Sequence, residues 1–187
     1  MVRRMLKIIK EEKLSKKDAK KSQYQPLSSS LPGNKVFFIS LGCPRNLVDT
    51  EVMIGTLLRA GFEVADQLKK ADFIVINTCA FLEASRQEAL DTIQEAYDTC
   101  KKGAKIIATG CMVQKHKEQI QERFPNIHYM LGSGDVQEIL QAVEAKTQGD
   151  FITDRKSFIE MGEVPRTLST PTHYAYLKIA EGCRKRC

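Results

Sequence analysis

Three cysteines each follow a short apolar run, and this recurrence limits the possible folds more than any other feature of the chain. Cys43 comes after the run Lys-Val-Phe-Phe-Ile-Ser-Leu and a glycine, Cys79 follows Asp-Phe-Ile-Val-Ile-Asn-Thr, and Cys111 follows a run that ends in Thr-Gly. Runs rich in β-branched and aromatic residues are typical of strands buried on both faces of a sheet. The sequence therefore predicts a thiol at the end of three separate strands.

Helical patterns lie between these strands. We expect helices over about 46–60, 83–99, 111–124 and 135–145. The last of these is expected to be capped by Ser133 or Asp135. Short strands are expected near 62–65 and 128–131. This alternation indicates an α/β fold, an open and mostly parallel sheet with helices on both faces, as in flavodoxin-like or Rossmann-like domains. Ligands of such sheets bind beyond the carboxyl ends of the strands, where the strand order reverses. All three cysteines are expected at that edge.

Composition divides the chain into four segments. Residues 1–34 are interpreted as a basic, flexible extension that could begin with a helix, and 35–147 as the α/β domain. Residues 148–172 have weak periodicity and two prolines, so they are expected to be a linker. At 173–187 a new strand is expected to start a further domain that the sequence does not finish, so we expect a piece of something longer.

The net charge of +6 belongs to the N-terminal extension. Residues 1–23 carry nine Lys or Arg against three Asp or Glu, and the remaining residues carry twenty of each sign. The α/β domain therefore lacks the basic signature of a nucleic-acid binder. The extension is interpreted first as a solvated arm, with contact to the ribosome or RNA as the alternative. No run approaches the ~20 apolar residues of a membrane span, and no signal peptide is evident, so a cytoplasmic protein is expected.

Six cysteines in a reducing compartment indicate metal or redox chemistry rather than disulfides. Thiolates bind iron-sulfur clusters and soft metals, and three protein ligands leave one iron of a cluster open. Glycines before Cys43 and Cys111 would let a cofactor approach the backbone. A zinc site is the alternative, although structural zinc usually has four protein ligands. No role is expected for Cys100 at the end of a helix, nor metal binding for the three histidines, His116, His128 and His173.

Polar residues near the strand ends permit two interpretations. Four residues, Asn46, Asn77, Thr78 and Thr109, could contact a bound cluster. They could equally well be ordinary helix caps or form strand-end hydrogen bonds. Asp49 and Glu51 are interpreted as acidic residues that favour the N-terminus of the first helix. Cys183 and Cys187 have a spacing that does not match the common zinc knuckle, so by themselves they indicate little.

Four motifs taken together resemble those of the radical S-adenosylmethionine methylthiotransferases. The first is similar to the branch that modifies an aspartate of the twelfth small-subunit ribosomal protein, because Pro and Arg follow its cysteine, where the transfer-RNA branch usually has Gln and Met. The motifs are Ser-Leu-Gly-Cys-Pro-Arg-Asn-Leu-Val-Asp-Thr-Glu at 40–51, Asn-Thr-Cys-Ala-Phe at 77–81, Thr-Gly-Cys at 109–111 and Lys-Ile-Ala-Glu-Gly-Cys-Arg-Lys-Arg-Cys at 178–187.

This resemblance implies ligands for two 4Fe-4S clusters. Cys43, Cys79 and Cys111 would hold an auxiliary cluster, and Cys183 and Cys187 would be the first two ligands of the radical cluster. The third radical-cluster cysteine of the family would fall beyond the last residue. Residues 35–147 would then be the N-terminal methylthiotransferase domain, and 173–187 would be the first strand of the radical barrel.

The resemblance also implies an activity. In the full enzyme, S-adenosylmethionine would supply a radical that takes hydrogen from the aspartate β-carbon, and a methylthio group would come from the auxiliary cluster. A transfer-RNA adenosine remains an alternative substrate, and a non-enzymatic flavodoxin-like module with zinc remains an alternative function. Because one cluster ligand and most of the barrel fall outside the sequence, the 187 residues alone are expected to be inactive.

Overall fold

The sheet and its helices occupy most of the chain that the structure describes. The computed structural model describes residues 33–154 and 164–180, and the backbone of residues 4–5. Two 3₁₀ turns, Leu68–Lys70 and Val136–Glu138, precede β4 and α4. The elements in chain order are β1 (Arg4–Met5), β2 (Lys35–Ser40), α1 (Pro44–Arg59), β3 (Glu63–Val64), β4 (Phe73–Thr78), α2 (Glu83–Thr99), β5 (Lys105–Gly110), α3 (Cys111–Arg123), β6 (Tyr129–Leu131), α4 (Ile139–Glu144) and β7 (Gly149–Phe151).

Strands β2 to β7 pair in parallel in the order β3-β2-β4-β5-β6-β7, which confirms the predicted α/β fold. Strand β1 pairs antiparallel with the last two residues of β2, on the edge where β3 pairs with the first two. The chain goes from β2 to β3 on one side and then continues at β4 on the other side. The strand order thus reverses between β2 and β4, and a ligand crevice is expected beyond their carboxyl ends.

Helices cover both faces of the sheet, as predicted. On one face Phe38, Val75 and Ile107 belong to an apolar cluster with residues of α1 and α4. On the other face Ile74 and Ile76 belong to a cluster with residues of α2 and α3. Every residue of β4 is buried, because it is a central strand with helices above and below. Each large apolar side chain buried in this way contributes about 1.5–3 kcal/mol.

Three sequence expectations were wrong in detail. The predicted linker contains β7, paired parallel to β6 over Gly149–Phe151. The expected strand from His173 does not form over residues 173–180, where Lys178 contacts Asp49 of α1. The fourth helix begins as a 3₁₀ turn, and neither expected cap functions as one: the Asp135 carboxylate accepts hydrogen bonds from the N–H and hydroxyl of Thr153 at 2.8 and 2.6 Å.

Some predictions fall outside the described residues. Within the N-terminal extension, Arg4–Met5 form a strand instead of a helix because they pair with the edge of β2. The rest of the extension up to residue 32 is not described, and neither are Cys183 and Cys187. None of the helices within the described ranges is both long and apolar enough to cross a membrane.

Candidate functional site

Cys43, Cys79 and Cys111 lie at the carboxyl ends of three adjacent strands, β2, β4 and β5. Cys43 precedes α1, Cys79 follows β4 directly, and Cys111 is the first residue of α3. Their thiols are free and differ in exposure: Cys43 is exposed, Cys111 is half-buried and Cys79 is buried. The three residues therefore form a group, here called the cysteine site, that is open to solvent on one side.

Asn46 connects two members of the cysteine site. The Sγ atoms of Cys43 and Cys111 each lie 3.9 Å from Oδ1 of Asn46, so twice that distance is the upper limit of their separation. The amide orientation is fixed because Nδ2 donates to the carbonyls of Leu41 and Thr78, each at 3.0 Å. Asn46 thus joins the ends of β2 and β4 and directs its oxygen towards the thiols.

Gly42 allows the third cysteine to join them. Its φ of +84° is in the left-handed region, where residues with a side chain are strained. A Cβ added at Gly42 would lie 2.6 Å from Cβ and 2.8 Å from Sγ of Cys79. Cys79 therefore packs against the bare backbone of the turn that carries Cys43.

Hydrogen bonds between strand ends support this arrangement. Asn77 donates to the Asn46 carbonyl at 2.9 Å and to the Thr50 hydroxyl at 3.1 Å. Thr78 donates to the Thr109 carbonyl at 2.6 Å. Two buried oxygens, Asn77 Oδ1 and Thr109 Oγ1, have no hydrogen-bond partner within the described chain. Among the polar candidates, the side chains of Asn46, Asn77 and Thr78 thus form strand-end hydrogen bonds, and Asn46 additionally contacts the thiols.

Arg45 is a site residue that the sequence reasoning did not identify. Its Nη2 donates a hydrogen bond to Sγ of Cys111 at 3.3 Å. Burial raises the pKa of the Cys111 thiol, Arg45 opposes this through its charge and hydrogen bond, and the nearby Cys79 and Cys43 add to the increase. The signal in the sequence was a cation two residues after a candidate ligand, in the turn that begins α1.

The donor set fits an iron-sulfur cluster better than a single ion. In the described part of the chain, no group of three or more His, Cys, Asp or Glu side chains is arranged to hold one metal ion. A zinc ion requires every sulfur at about 2.3 Å and usually four ligands. A 4Fe-4S cluster binds each thiolate through a different iron, so its ligands can lie farther apart. Three thiols around the exposed backbone of Gly42 are compatible with that requirement, and they would leave one iron without a protein ligand.

The other cysteine and the histidines lie elsewhere. Cys100 follows α2, and the 17 residues of this helix give it a length of about 25 Å. Cys100 therefore lies at the end of α2 that is remote from the cysteine site. His116 occupies a kink inside α3, with φ of −140°. Burial, followed by the charge of Lys105, lowers the pKa of His128. His173 packs edge-on against its neighbour Tyr174.

Asp49 and Glu51 have a different role from the one predicted. Both are buried and face residues 164–180, here called the strap, instead of acting at the N-terminus of α1. Lys178 Nζ lies 2.8 Å from Asp49 Oδ1. Glu51 accepts two hydrogen bonds from Arg166, at 2.9 and 2.7 Å, and two from Ser169, at 2.7 and 2.8 Å. The two carboxylates therefore hold the strap along the helix that follows the cysteine site.

Comparison with known sequences gives the family. Residues 35–132, which include all three cysteines of the site, match the pattern of the uncharacterized protein family UPF0004. The chain belongs to this family. The UPF0004 match begins at the first residue of β2 and ends one residue after β6, so it covers the part of the sheet that carries the cysteine site.

Relatives with names extend this UPF0004 assignment. The chain is 64% identical over 155 residues, 83% of its length and 33% of the relative's, to the ribosomal protein uS12 methylthiotransferase RimO of Protochlamydia amoebophila. The chain is also similar to two further proteins of the same name. It is 61% identical to that of Chlamydia felis over 154 residues, 82% of this chain and 33% of the relative. It is 39% identical to that of Bdellovibrio bacteriovorus over 158 residues, 82% of this chain and 35% of the relative. The chain spans about a third of their length. The resemblance to the ribosomal-protein branch is confirmed by these relatives.

Proposed function

We propose that this chain is the N-terminal, cluster-binding part of a transferase that adds a methylthio group to an aspartate of ribosomal protein uS12. The observation that carries the proposal is the grouping of Cys43, Cys79 and Cys111 around Gly42 and Asn46 at the point where the strand order reverses. The names of the relatives supply the substrate. A ribosomal substrate also means that the protein works in the cytoplasm and needs no membrane.

The three thiolates would hold the auxiliary 4Fe-4S cluster. When bound, this cluster would supply the chemistry of methylthio transfer. The residues of the chain provide its binding site. Gly42 leaves space beside Cys79, and Asn46 keeps the ends of β2 and β4 together. Cys79 is only 8% exposed, so the inner side of the site is closed to water while the side at Cys43 stays open to a substrate.

Cys183 and Cys187 are proposed as two ligands of a second, radical-forming 4Fe-4S cluster that cleaves S-adenosylmethionine. Contact of the basic N-terminal arm with the ribosome remains a prediction from its charge.

The test is the modification state of uS12 in cells. Intact-mass and peptide analysis of uS12 should show the methylthio increment on one aspartate in the parent strain and its loss when the full gene is deleted. A plasmid with the full gene should restore the increment, and so should the same gene with Cys100→Ala. Genes with Cys43→Ala, Cys79→Ala or Cys111→Ala should not restore it.

Analysis of transfer RNA from the same strains distinguishes the alternative substrate. The nucleoside profile should be the same with and without the gene. Loss of a methylthio-adenosine from the transfer RNA of the deletion strain, with unchanged uS12, would contradict the proposal and assign the enzyme to the other branch.

A further inference from the structure

We propose that Arg45 raises the reduction potential of the cluster at Cys43, Cys79 and Cys111 by donating a hydrogen bond to one of its ligand sulfurs. The inference rests on the proposed function, since it requires that the cysteine site holds a cluster. It assigns a role to a side chain that the ligand set itself does not include.

The position of Arg45 is determined by the start of α1. Pro44 is the first residue of this helix, and its fixed φ defines the direction in which the helix leaves the turn. Arg45 follows it and turns back towards β5, so that Nη2 lies 3.3 Å from Cys111 Sγ. Its Nε is buried and the residue as a whole is half-buried, so the side chain is partly withdrawn from solvent beside Cys111.

The charges around the site give the direction of the effect. Addition of an electron makes the cluster and its thiolates more negative, and a cation in contact with a ligand sulfur stabilises that state. The N-termini of α1 and α3, at Cys43 and Cys111, add partial positive charge in the same sense. The carboxylate of Asp49, one turn along α1, is paired with Lys178 and so opposes Arg45 less.

Asn46 acts in the opposite sense from the adjacent position. Its amide oxygen, the negative end of the dipole, lies 3.9 Å from the sulfurs of Cys43 and Cys111. The orientation of the amide is held by two carbonyls, so it cannot turn its N–H groups towards the site. Arg45 is therefore the side chain from which the ligands receive a charge-assisted hydrogen bond in the described structure.

The experiment is a redox titration of the reconstituted cluster followed by electron paramagnetic resonance, with dithionite as the one-electron reductant. The Cys183→Ala/Cys187→Ala background removes the ligands of the second proposed cluster, so the signal comes from the cysteine site. Arg45→Gln and Arg45→Met remove the charge, and Arg45→Lys keeps it without the planar fork. Arg59→Gln is the matched control, because Arg59 is exposed and ends the same helix, about 20 Å away.

We expect Arg45→Gln and Arg45→Met to decrease the ratio of reduced to oxidised cluster at fixed potential on the order of tenfold, which is a fall of about 59 mV for a one-electron couple. The reduction potential should fall less in Arg45→Lys, and in Arg59→Gln it should equal that of the parent. Iron and sulfide contents should be equal in all of them.

The outcomes separate the two proposals. A parent protein that takes up no iron and sulfide contradicts the proposed function itself. If the cluster forms and the neutral variants keep the parent's potential, the inference about Arg45 is wrong and the proposed function stands. If both neutral variants lose the cluster, Arg45→Lys decides: a lower potential than the parent supports the inference, and an equal or higher one overturns it.

Discussion

Lys178 and Asp49 form an ion pair that is almost entirely withdrawn from water. Their Nζ and Oδ1 atoms are 2.8 Å apart, and the side chains are 6% and 5% exposed. Asp49 lies on α1 one turn after Asn46, whose amide oxygen faces two thiols of the cysteine site. The pair therefore connects the strap to the helix that organises the site.

Removal of one partner should detach the strap. Lys178→Met leaves the Asp49 carboxylate buried without this cation, and disruption of a buried pair costs about 3–5 kcal/mol. Hydrogen exchange of residues 164–180 should accelerate while exchange in β4 stays slow. Asp49→Asn/Lys178→Met should lose less stability than the sum of the single variants. Additive losses would show that the two side chains do not interact.

Glu51 should be the second attachment point of the strap. Glu51→Gln replaces one carboxylate oxygen by an NH₂ group, which loses both hydrogen bonds from Arg166 if it faces that side chain, and at least the one from the Ser169 N–H if it faces Ser169. Loss of hydrogen bonds to a buried charge costs about 1.5–3 kcal/mol each. Limited proteolysis should cut this variant within the strap before the parent. Glu63→Gln, an exposed position in β3, is the control and should be cut like the parent.

Gly42→Ala should damage the cysteine site more than a comparable change elsewhere. Gly42 and Gly61 have φ of +84° and +90°, so alanine is strained at both. A Cβ at Gly61 meets nothing within 4 Å, whereas a Cβ at Gly42 meets Cys79. Iron uptake should therefore fall in Gly42→Ala and remain normal in Gly61→Ala. Equal uptake in both variants would mean that the contact with Cys79 is unimportant.

Tyr97 should make stability depend on pH in the alkaline range. Burial, with the charge of Cys100 added, raises the pKa of Tyr97 to about 12, against about 10 in an unfolded chain. Between these values the unfolded state loses the phenolic proton and the folded state keeps it, so stability falls as the pH rises from about 10 to 12 and is fully present below.

The Tyr97→Phe variant isolates this effect. In the parent protein the phenol oxygen of Tyr97 has no hydrogen-bond partner within the described structure, and the ring stacks on Phe124. Phenylalanine therefore keeps the packing and removes only the ionisable group. Urea unfolding from pH 9 to 12 should show a shallower decline for the variant than for the parent. Parallel curves would contradict the assigned role of Tyr97.

The part of the fold that could be predicted depends on local patterns. The runs before Cys43 and Cys79 are apolar because β2 and β4 are covered on both faces, so their burial can be read from a few consecutive residues. The carboxyl ends of parallel strands lie at one edge of a sheet, so the sequence was sufficient to predict that the three cysteines lie close together. Strand β7 was missed because three residues that begin with glycine carry too little pattern.

The strap could not be predicted, because its partners are distant in sequence. Glu51 and Arg166 are 115 residues apart, and Asp49 and Lys178 are 129 apart. Acidic residues early in a helix usually interact with its N-terminus, so the local interpretation of Asp49 and Glu51 was the ordinary one. Only the fold shows that residues 164–180 cross this helix at Gly55, where an added Cβ would lie 2.7 Å from the backbone at Pro165 and Arg166.

The most direct test of the central claim is the iron and acid-labile sulfide content of anaerobically reconstituted protein. In the Cys183→Ala/Cys187→Ala background, the account predicts equal amounts of iron and sulfide and a brown colour, lost in each of Cys43→Ala, Cys79→Ala and Cys111→Ala and retained in Cys100→Ala. A colourless protein that binds zinc, or a cluster that survives loss of any one of the three cysteines, would contradict it.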